Sequence, residues 1–339
     1  MAFITFQPND YFNTKLTSGN SSTQAVTGVG FSPSLVWGKN RSGTQGHQLL
    51  DVLRGANNVL VSNNNDGAVA DSQILNSFDS DGFTLGSQDQ LNDTGQTYVF
   101  WNWKAGTTSG ISAGSQTITP SAYSINTTAG FGIYKWSRTG ASTTDFFSHG
   151  LGATPTIAIQ KRTDLAQDWY VNTTVIDGTN DNLHLNKTDA KEDDSTTVPT
   201  STNYYPKSPE TGDYITYLFT PVRGFSKFGS YTGNQNADGS FIYTGFKPAW
   251  LLIKNISDGD DGWLLIDNKR SAYNQTYNYS TAHASSAEGG TGFPIDLVSN
   301  GFKIRGADIS YNQSGYTYIF MAFAEAPLVG SNNVPATAR

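Results

Sequence analysis

The chain has 339 residues, a formal net charge of −7 and only 14% charged residues, which argues against nucleic acid as a partner because no basic stripe is present. It contains no cysteine, so disulfides and thiolate metal centres are excluded. With 35 glycines, 17 tyrosines and 19 phenylalanines among many Asn, Ser and Thr, and no long runs of helical period, the composition predicts an all-β, turn-rich protein.

The start, Met1 to Pro8, lacks a basic segment followed by an apolar run, so no secretory signal is expected; no run of about 18 apolar residues could span a bilayer. Residues 2–6 alternate as a short strand, and polar residues follow to 23. The chain then writes a phrase that it uses three times: Gly30-Phe31-Ser32-Pro33-Ser34-Leu35-Val36-Trp37-Gly38-Lys39, Gly152-Ala153-Thr154-Pro155-Thr156-Ile157-Ala158-Ile159-Gln160-Lys161 and Gly245-Phe246-Lys247-Pro248-Ala249-Trp250-Leu251-Leu252-Ile253-Lys254. A Gly and a Pro set a turn, and an apolar strand ending in Lys follows at the same spacing each time.

In the first unit the phrase is followed by a loop at 41–46, an apolar run ending in Asp51, turns at 63–67 and 80–82, and an aromatic strand, Thr97-Tyr98-Val99-Phe100-Trp101-Asn102-Trp103. A Ser/Thr/Gly-rich stretch over 109–129 reads as a linker, which bounds the first unit at 1–108. The second, 109–223, carries a polar insertion at 186–213 and closes on Tyr214-Ile215-Thr216-Tyr217-Leu218-Phe219. The third, 224–339, follows almost at once, so it is expected to pack rigidly on the second. It holds a Tyr-rich loop at 273–292, a closing strand over 315–323 and an exposed tail over 329–339.

Units of about 100 residues are too long for solenoid repeats and large enough for a two-layer β core each. Closing strands with aromatic residues at nearly every position predict central strands covered on both faces. The expectation is three tandem β-sandwich modules.

Period-two alternation places Leu35, Trp37 and Lys39 on one face, with Ile157, Ile159 and Lys161, and Trp250, Leu252 and Lys254, on the equivalent faces. Each Lys therefore lies on the core side and needs a carboxylate or carbonyls, because an unpaired buried ammonium is costly. Asp51 and Asp267 end the next apolar run in units one and three and are candidate partners, with Asp177 a looser one in unit two. A Lys-to-Asp or Lys-to-carbonyl contact at a hairpin base is expected rather than three catalytic lysines.

His47, His149, His184 and His283 show no metal-binding spacing and read as surface or packing residues. The Asp258-Gly259-Asp260-Asp261-Gly262 run lacks the EF-hand spacing and reads as a solvated hairpin tip. Glu192-Asp193-Asp194 lies in a polar insertion and reads as a solvated loop rather than a glycosidase pair. No nucleophile elbow or P-loop is present, so no enzyme, cofactor or metal is expected. Tyr204, Tyr205, Tyr273, Tyr277 and Tyr279 sit among Asn, Ser and Thr, a mixture suited to recognition surfaces, where Tyr gives amphipathic contact at low entropic cost. Burial of these rings, or their use in assembly contacts, is the competing expectation.

The segments His149-Gly150-Leu151-Gly152-Ala153-Thr154-Pro155, Gly224-Phe225-Ser226-Lys227-Phe228-Gly229-Ser230-Tyr231-Thr232-Gly233-Asn234, the phrase from Tyr243 to Lys254, Ser299-Asn300-Gly301-Phe302-Lys303-Ile304 and Thr317-Tyr318-Ile319-Phe320-Met321-Ala322-Phe323-Ala324-Glu325 are similar to the recurring module of a family of bacteriophage tail-fibre-like structural proteins from phages of marine bacteria and cyanobacteria. The likeness covers residues 130–328 well and the first unit more loosely. It implies concanavalin-like or jelly-roll β-sandwiches in a non-enzymatic virion protein made in the host cytoplasm. Other virion proteins, a host cell-surface glycan and two further copies in a trimer are the partners it implies. Capsid decoration or a head appendage is the alternative placement, and a polysaccharide-degrading tailspike a third.

Overall fold

The computed structural model describes residues 5–112, 114–140, 144–207, 210–271, 273–329 and 337, and it is all-β, as the composition predicts. Most of the strand expected over 2–6 and of the tail expected over 329–339 lies outside these residues.

The first unit comprises β1 (Phe12–Ser18), β2 (Gln24–Thr27), β3 (Leu35–Asn40), β4 (Gln48–Asp51), β5 (Asn58–Val61), β6 (Val69–Ala70), β7 (Leu75–Asp79), β8 (Gly82–Leu85), the one-turn helix α1 (Asp89–Asn92) and β9 (Thr97–Trp103). The second comprises β10 (Ala122–Asn126), β11 (Phe131–Arg138), β12 (Phe147–Ser148), β13 (Ile157–Arg162), β14 (Tyr170–Thr173), β15 (Asp181–His184), β16 (Glu192–Asp193), β17 (Asn203–Tyr204) and β18 (Gly212–Phe219). The third comprises β19 (Ser226–Thr232), β20 (Phe241–Tyr243), β21 (Phe246–Asn255), β22 (Trp263–Asp267), β23 (Tyr279–Thr281), β24 (Ile295–Val298), β25 (Gly301–Ile304), the one-turn helix α2 (Ile309–Asn312) and β26 (Thr317–Pro327).

Each unit has one large antiparallel sheet with the same strand order: opening strand, closing strand, motif strand, then the next two. The orders are β1-β9-β3-β4-β5-β6, β10-β11-β18-β13-β14-β15-β16 and β19-β26-β21-β22-β23. A smaller sheet covers one face in each unit: β2-β8-β7, β12-β17 and β20-β25-β24. The repeated phrase opens on a glycine because Gly30, Gly152 and Gly245 adopt φ of +89°, +75° and +85°, a region that a Cβ disfavours.

Alternation along the strands sends side chains to two different cores. Tyr98 and Phe100, Tyr214 and Leu218, and Tyr318, Phe320 and Ala322 face the smaller sheet of their own unit. The opposite faces of all three large sheets merge into one common core. Register makes Trp103, Phe219 and Phe323 equivalent, since they oppose Leu35, Ile157 and Trp250. Phe323 touches both of the others, with ring centroids 5.7 Å from Trp103 and 6.0 Å from Phe219. The next layers, Trp101/Tyr217/Met321 and Val99/Ile215/Ile319, belong to the same core. Both faces of each closing strand are therefore covered, but one cover is the other two units.

Polar contacts join the units in a single rotational sense. Trp169 Nε1 donates to Val61 O of unit one at 2.9 Å, and Trp263 Nε1 donates to His184 O of unit two at 2.8 Å. In unit one the equivalent position is the buried His47, and at this seam Ser62 Oγ donates to Ala282 O of unit three at 2.5 Å. The arrangement is a closed ring of three units.

Residues 109–129 do not form a plain linker. Residues Ala122–Asn126 pair with β11 as an edge strand, and Ile111, Ile118 and Ile125 pack into the second unit's own core. Hydrophobic residues spaced among Ser and Thr were enough to anchor a segment whose overall composition reads as a connection.

Candidate functional site

The three motif lysines are fully buried at the junctions, and their partners are carbonyls. Lys254 Nζ donates to Thr188 O at 2.7 Å, Asn255 O at 2.5 Å and Asp261 O at 2.6 Å. Lys39 Nζ donates to Asn40 O, Gly43 O and, in unit three, Ser285 O at 3.2 Å. Lys161 Nζ donates to Arg162 O and, in unit one, Asn65 O at 3.2 Å. Each ammonium thus ties its own hairpin to the neighbouring unit. Burial pushes all three down to about 8, with Arg270 adding to the effect at Lys39. Pro33 and Pro155 precede β3 and β13, whereas Pro248 lies inside β21, where the ladder register shifts.

The Lys-to-Asp alternative is corrected. Asp51 and Asp267 lie at the far end of the hairpin, opposite Leu35 and Trp250, and their partners are Arg54 and Arg270, each at 2.6 Å. Trp101 Nε1 also donates to Asp267 at 3.0 Å, and the Arg270 guanidinium lies 5.3 Å from the Trp101 ring centre. Asp177 is exposed and accepts from Thr179; the place of Asp51 in unit two is taken by Thr173, opposite Ile157. An Asp-x-x-Arg spacing in units one and three was the overlooked signal.

The five tyrosines do not form one surface. Tyr204 is buried in the second unit's core, on β17 opposite Phe147, so the packing expectation holds there. Tyr205 is half-buried against Phe146, with ring centroids 5.4 Å apart. Tyr279 is half-buried on β23 and meets Phe293 edge-on at 4.5 Å. Tyr273 and Tyr277 remain exposed, at 78% and 43%. The Tyr277 hydroxyl donates to Gln275 Oε1 at 2.6 Å.

Two exposed aromatics that the tyrosine count did not single out stand on the outer face of the third unit. On edge strand β20 Ile242 points inward, while Phe241 and Tyr243 point outward at 47% and 52% exposure. Register places Phe241 beside Lys303 and Lys303 beside Asp296. The bridge between Thr276 and Ile295, with two hydrogen bonds between Asn274 and Leu297, extends the same sheet toward Tyr277. Lys303 and Arg305 both pair with Asp238, at 2.8 and 3.5 Å, and Arg305 pairs with Asp296 at 3.0 Å. The hydrogen bond from Lys303 and the charges of Lys303 and Arg305 hold Asp238 below the usual carboxylate range. Lys227 Nζ lies 5.3 Å from the centre of the Tyr243 ring. The result is an outward face with Phe241 and Tyr243 at one end, the ion-paired Lys303, Arg305, Asp238 and Asp296 in the middle and Tyr277 at the other end.

The first unit supplies an internal control for this face. Its β2 and β8 pair in the same register, Val26 opposite Phe83 as Ile242 is opposite Phe302. At the places of Phe241, Tyr243 and Lys303 it has Ala25, Thr27 and Thr84. The scaffold therefore folds without aromatic residues there. A comparison of the two strand pairs in sequence would have revealed the difference.

Fold and site together define a ring of three two-layered β units with exposed aromatic residues on the outer face of the third. The chain belongs to the family described as a domain of unknown function, DUF7483, whose model matches residues 7–327 and so spans all three units. No curated protein and no solved structure matches the chain. Among the described residues no group of three or more His, Asp or Glu side chains could hold a metal ion, and no helix is long and apolar enough to cross a membrane.

Proposed function

We propose that the protein is a non-enzymatic structural protein of a bacteriophage virion that meets a host cell-surface glycan through the outer face of its third unit. The observation that carries the binding part is the pair Phe241 and Tyr243, exposed where the first unit has Ala25 and Thr27. Exposed rings beside charged and amide groups suit sugar rings, whose C–H faces stack and whose hydroxyls take hydrogen bonds. The virion placement rests on the likeness of residues 130–328 to tail-fibre-like modules.

The second reading, a coat contact on the head, is favoured by one feature: β20 is the terminal strand of its sheet, and edge strands are sites where another chain can pair. Immunogold labelling of virions separates tail from head. A trimer, which the likeness implies, would bring three rings together through their outer surfaces, and light scattering gives the mass that decides it.

The binding test compares the wild-type chain with Phe241→Ser/Tyr243→Ser on purified host envelope polysaccharide. Retained melting temperature with binding lost supports the reading; equal binding by both proteins removes this face from it.

A further inference from the structure

We propose that the seam between units one and three is a site for a small anionic polyhydroxylated ligand, of the size and chemistry of a single hexuronate residue. A groove of about 310 Å³ runs between β1 and the turn after β22, with Asn9, Asn13, Thr14, Asn268, Lys269 and Glu325 on its walls. It shares Asn13, Thr14 and Lys269 with an adjoining recess of about 330 Å³, which Lys15 and Gly28 also line. Volumes in this range suit a small polar molecule.

Thr14 lies on the wall between the two spaces. It is 4% exposed, yet its Oγ1 has no hydrogen-bond partner. A buried hydroxyl is ordinarily satisfied, so an orphaned one on a residue that lines both spaces points to a group supplied from outside.

The other two seams show that the scaffold does not need a polar wall. Register puts Ile133 and Phe228 at the place of Thr14, and both belong to the common core. At the place of Lys269, two residues after Asp267, the other units have Leu53 and Val175, which pack against that core. One seam of three is thus polar where its equivalents are sealed by hydrocarbon.

The chemistry of the walls divides the ligand. The amides of Asn9 and Asn268, with the Glu325 carboxylate, line the first space and suit hydroxyls, which both donate and accept, while the Asn13 amide already donates to Val29 O and accepts from the Thr14 N–H. Lys15 and Lys269 flank the second, and neither ammonium lies within 4.0 Å of a carboxylate among the described residues. A Cβ at Gly28 would sit 3.1 Å from Lys15 Nζ, so the glycine leaves that ammonium its room. Two cations at one end and amides at the other fit a sugar ring with one carboxylate. The inference does not rest on the outer face of the third unit or on a virion location.

Isothermal titration of the full chain with sodium glucuronate and sodium galacturonate tests it, with glucose and acetate as comparators. At least one uronate is expected to bind with Kd of about 1 mM or tighter. Thr14→Val, nearly isosteric, and Lys269→Met, at an exposed side chain, are each expected to weaken it about 10-fold, a step of one decade in Kd. Phe241→Ser/Tyr243→Ser is expected to leave it unchanged, which separates this site from the outer face. The proposal is overturned if neither uronate binds at about 10 mM, tenfold above the expected Kd, if glucose or acetate binds as tightly, or if Lys269→Met binds like the wild type.

Discussion

The Tyr217 hydroxyl of the second unit donates to Asp51 Oδ2 of the first at 2.8 Å, and the same carboxylate oxygen holds Arg54 at 2.6 Å. At the next seam Trp101 and Asp267–Arg270 repeat the arrangement. At the third, Thr173 and Ile176 replace the pair, and Met321 stands in the place of Trp101 and Tyr217. The polar and apolar solutions are complete sets: where the ion pair is missing, the donor that would face it is missing too. This predicts strong coupling. Asp51→Ala leaves Arg54 buried without its carboxylate and is expected to cost about 3–5 kcal/mol in chemical denaturation. The triple change Asp51→Thr/Arg54→Ile/Tyr217→Met imports the third seam's set and is expected to cost less than about 3 kcal/mol. A triple variant less stable than Asp51→Ala would show that the pair is indispensable at that seam.

The motif lysines differ in how many carbonyls they satisfy. Lys254 serves three and Lys161 two, and one acceptor in each set lies in the neighbouring unit. Replacement by Met keeps the stem and leaves the carbonyls unpaired. Lys254→Met is expected to cost about 2–5 kcal/mol, given about 1–3 kcal/mol for each buried group left unsatisfied. Lys161→Met is expected to cost less. Equal losses in urea denaturation, or none, would sink the carbonyl-clamp account.

Stability is expected to rise with pH through the neutral and mildly alkaline range. Burial lowers Lys39, Lys161 and Lys254 from 10.5 to about 8. Below pH 8 these lysines are protonated both folded and unfolded, and the cost of burying the charge is carried in full. Between about 8 and 10.5 the unfolded chain alone keeps the protons, so stability increases across that window. Burial also lowers His47, His149, His184 and His283, so stability falls as pH drops below 6.5 and the unfolded chain takes up protons. Buried Tyr134, Tyr217 and Tyr231 are raised above 10.0, and their contribution is lost above that value as the unfolded phenols ionise. The melting temperature should therefore peak near pH 10. A flat or falling trend between about pH 8 and 9.5 would contradict the lysine assignment.

The repeated phrase made the motif strands and their inward faces legible, because Leu35, Trp37 and Lys39 alternate at strand period and land where that period puts them. The common core was not legible. Tyr98, Val99, Phe100 and Trp101 are apolar on both faces, and a sequence cannot say whether the second cover is a unit's own sheet or a neighbour's. The lysines' inter-unit partners, Ser285, Asn65 and Thr188, are loop carbonyls, which every residue type offers alike. For Tyr204 the choice between recognition and packing was not legible, because a two-residue strand inside a polar insertion leaves no periodicity to detect. Phe241 and Tyr243 were open to detection only by aligning β20 with β2, whose approach to the motif differs in length.

The shared core predicts that a single unit does not stand alone. In isolation the third unit would expose Trp250, Leu252, Met321 and Phe323, all buried in the ring against residues of the other two. A contiguous apolar face of that kind drives association. A fragment spanning 224–329 is therefore expected to aggregate or bind hydrophobic dye, and the full chain to unfold in one transition. Phe323→Ala in the full chain is expected to cost about 3–5 kcal/mol, because its ring contacts Trp103 of unit one and Phe219 of unit two as well as Trp250 of its own. Monomeric, cooperative folding of the fragment at the full chain's melting temperature would mean that the units are independent domains. The ring would then be a packing arrangement rather than the source of stability, because each unit would draw enough from the core under its own smaller sheet.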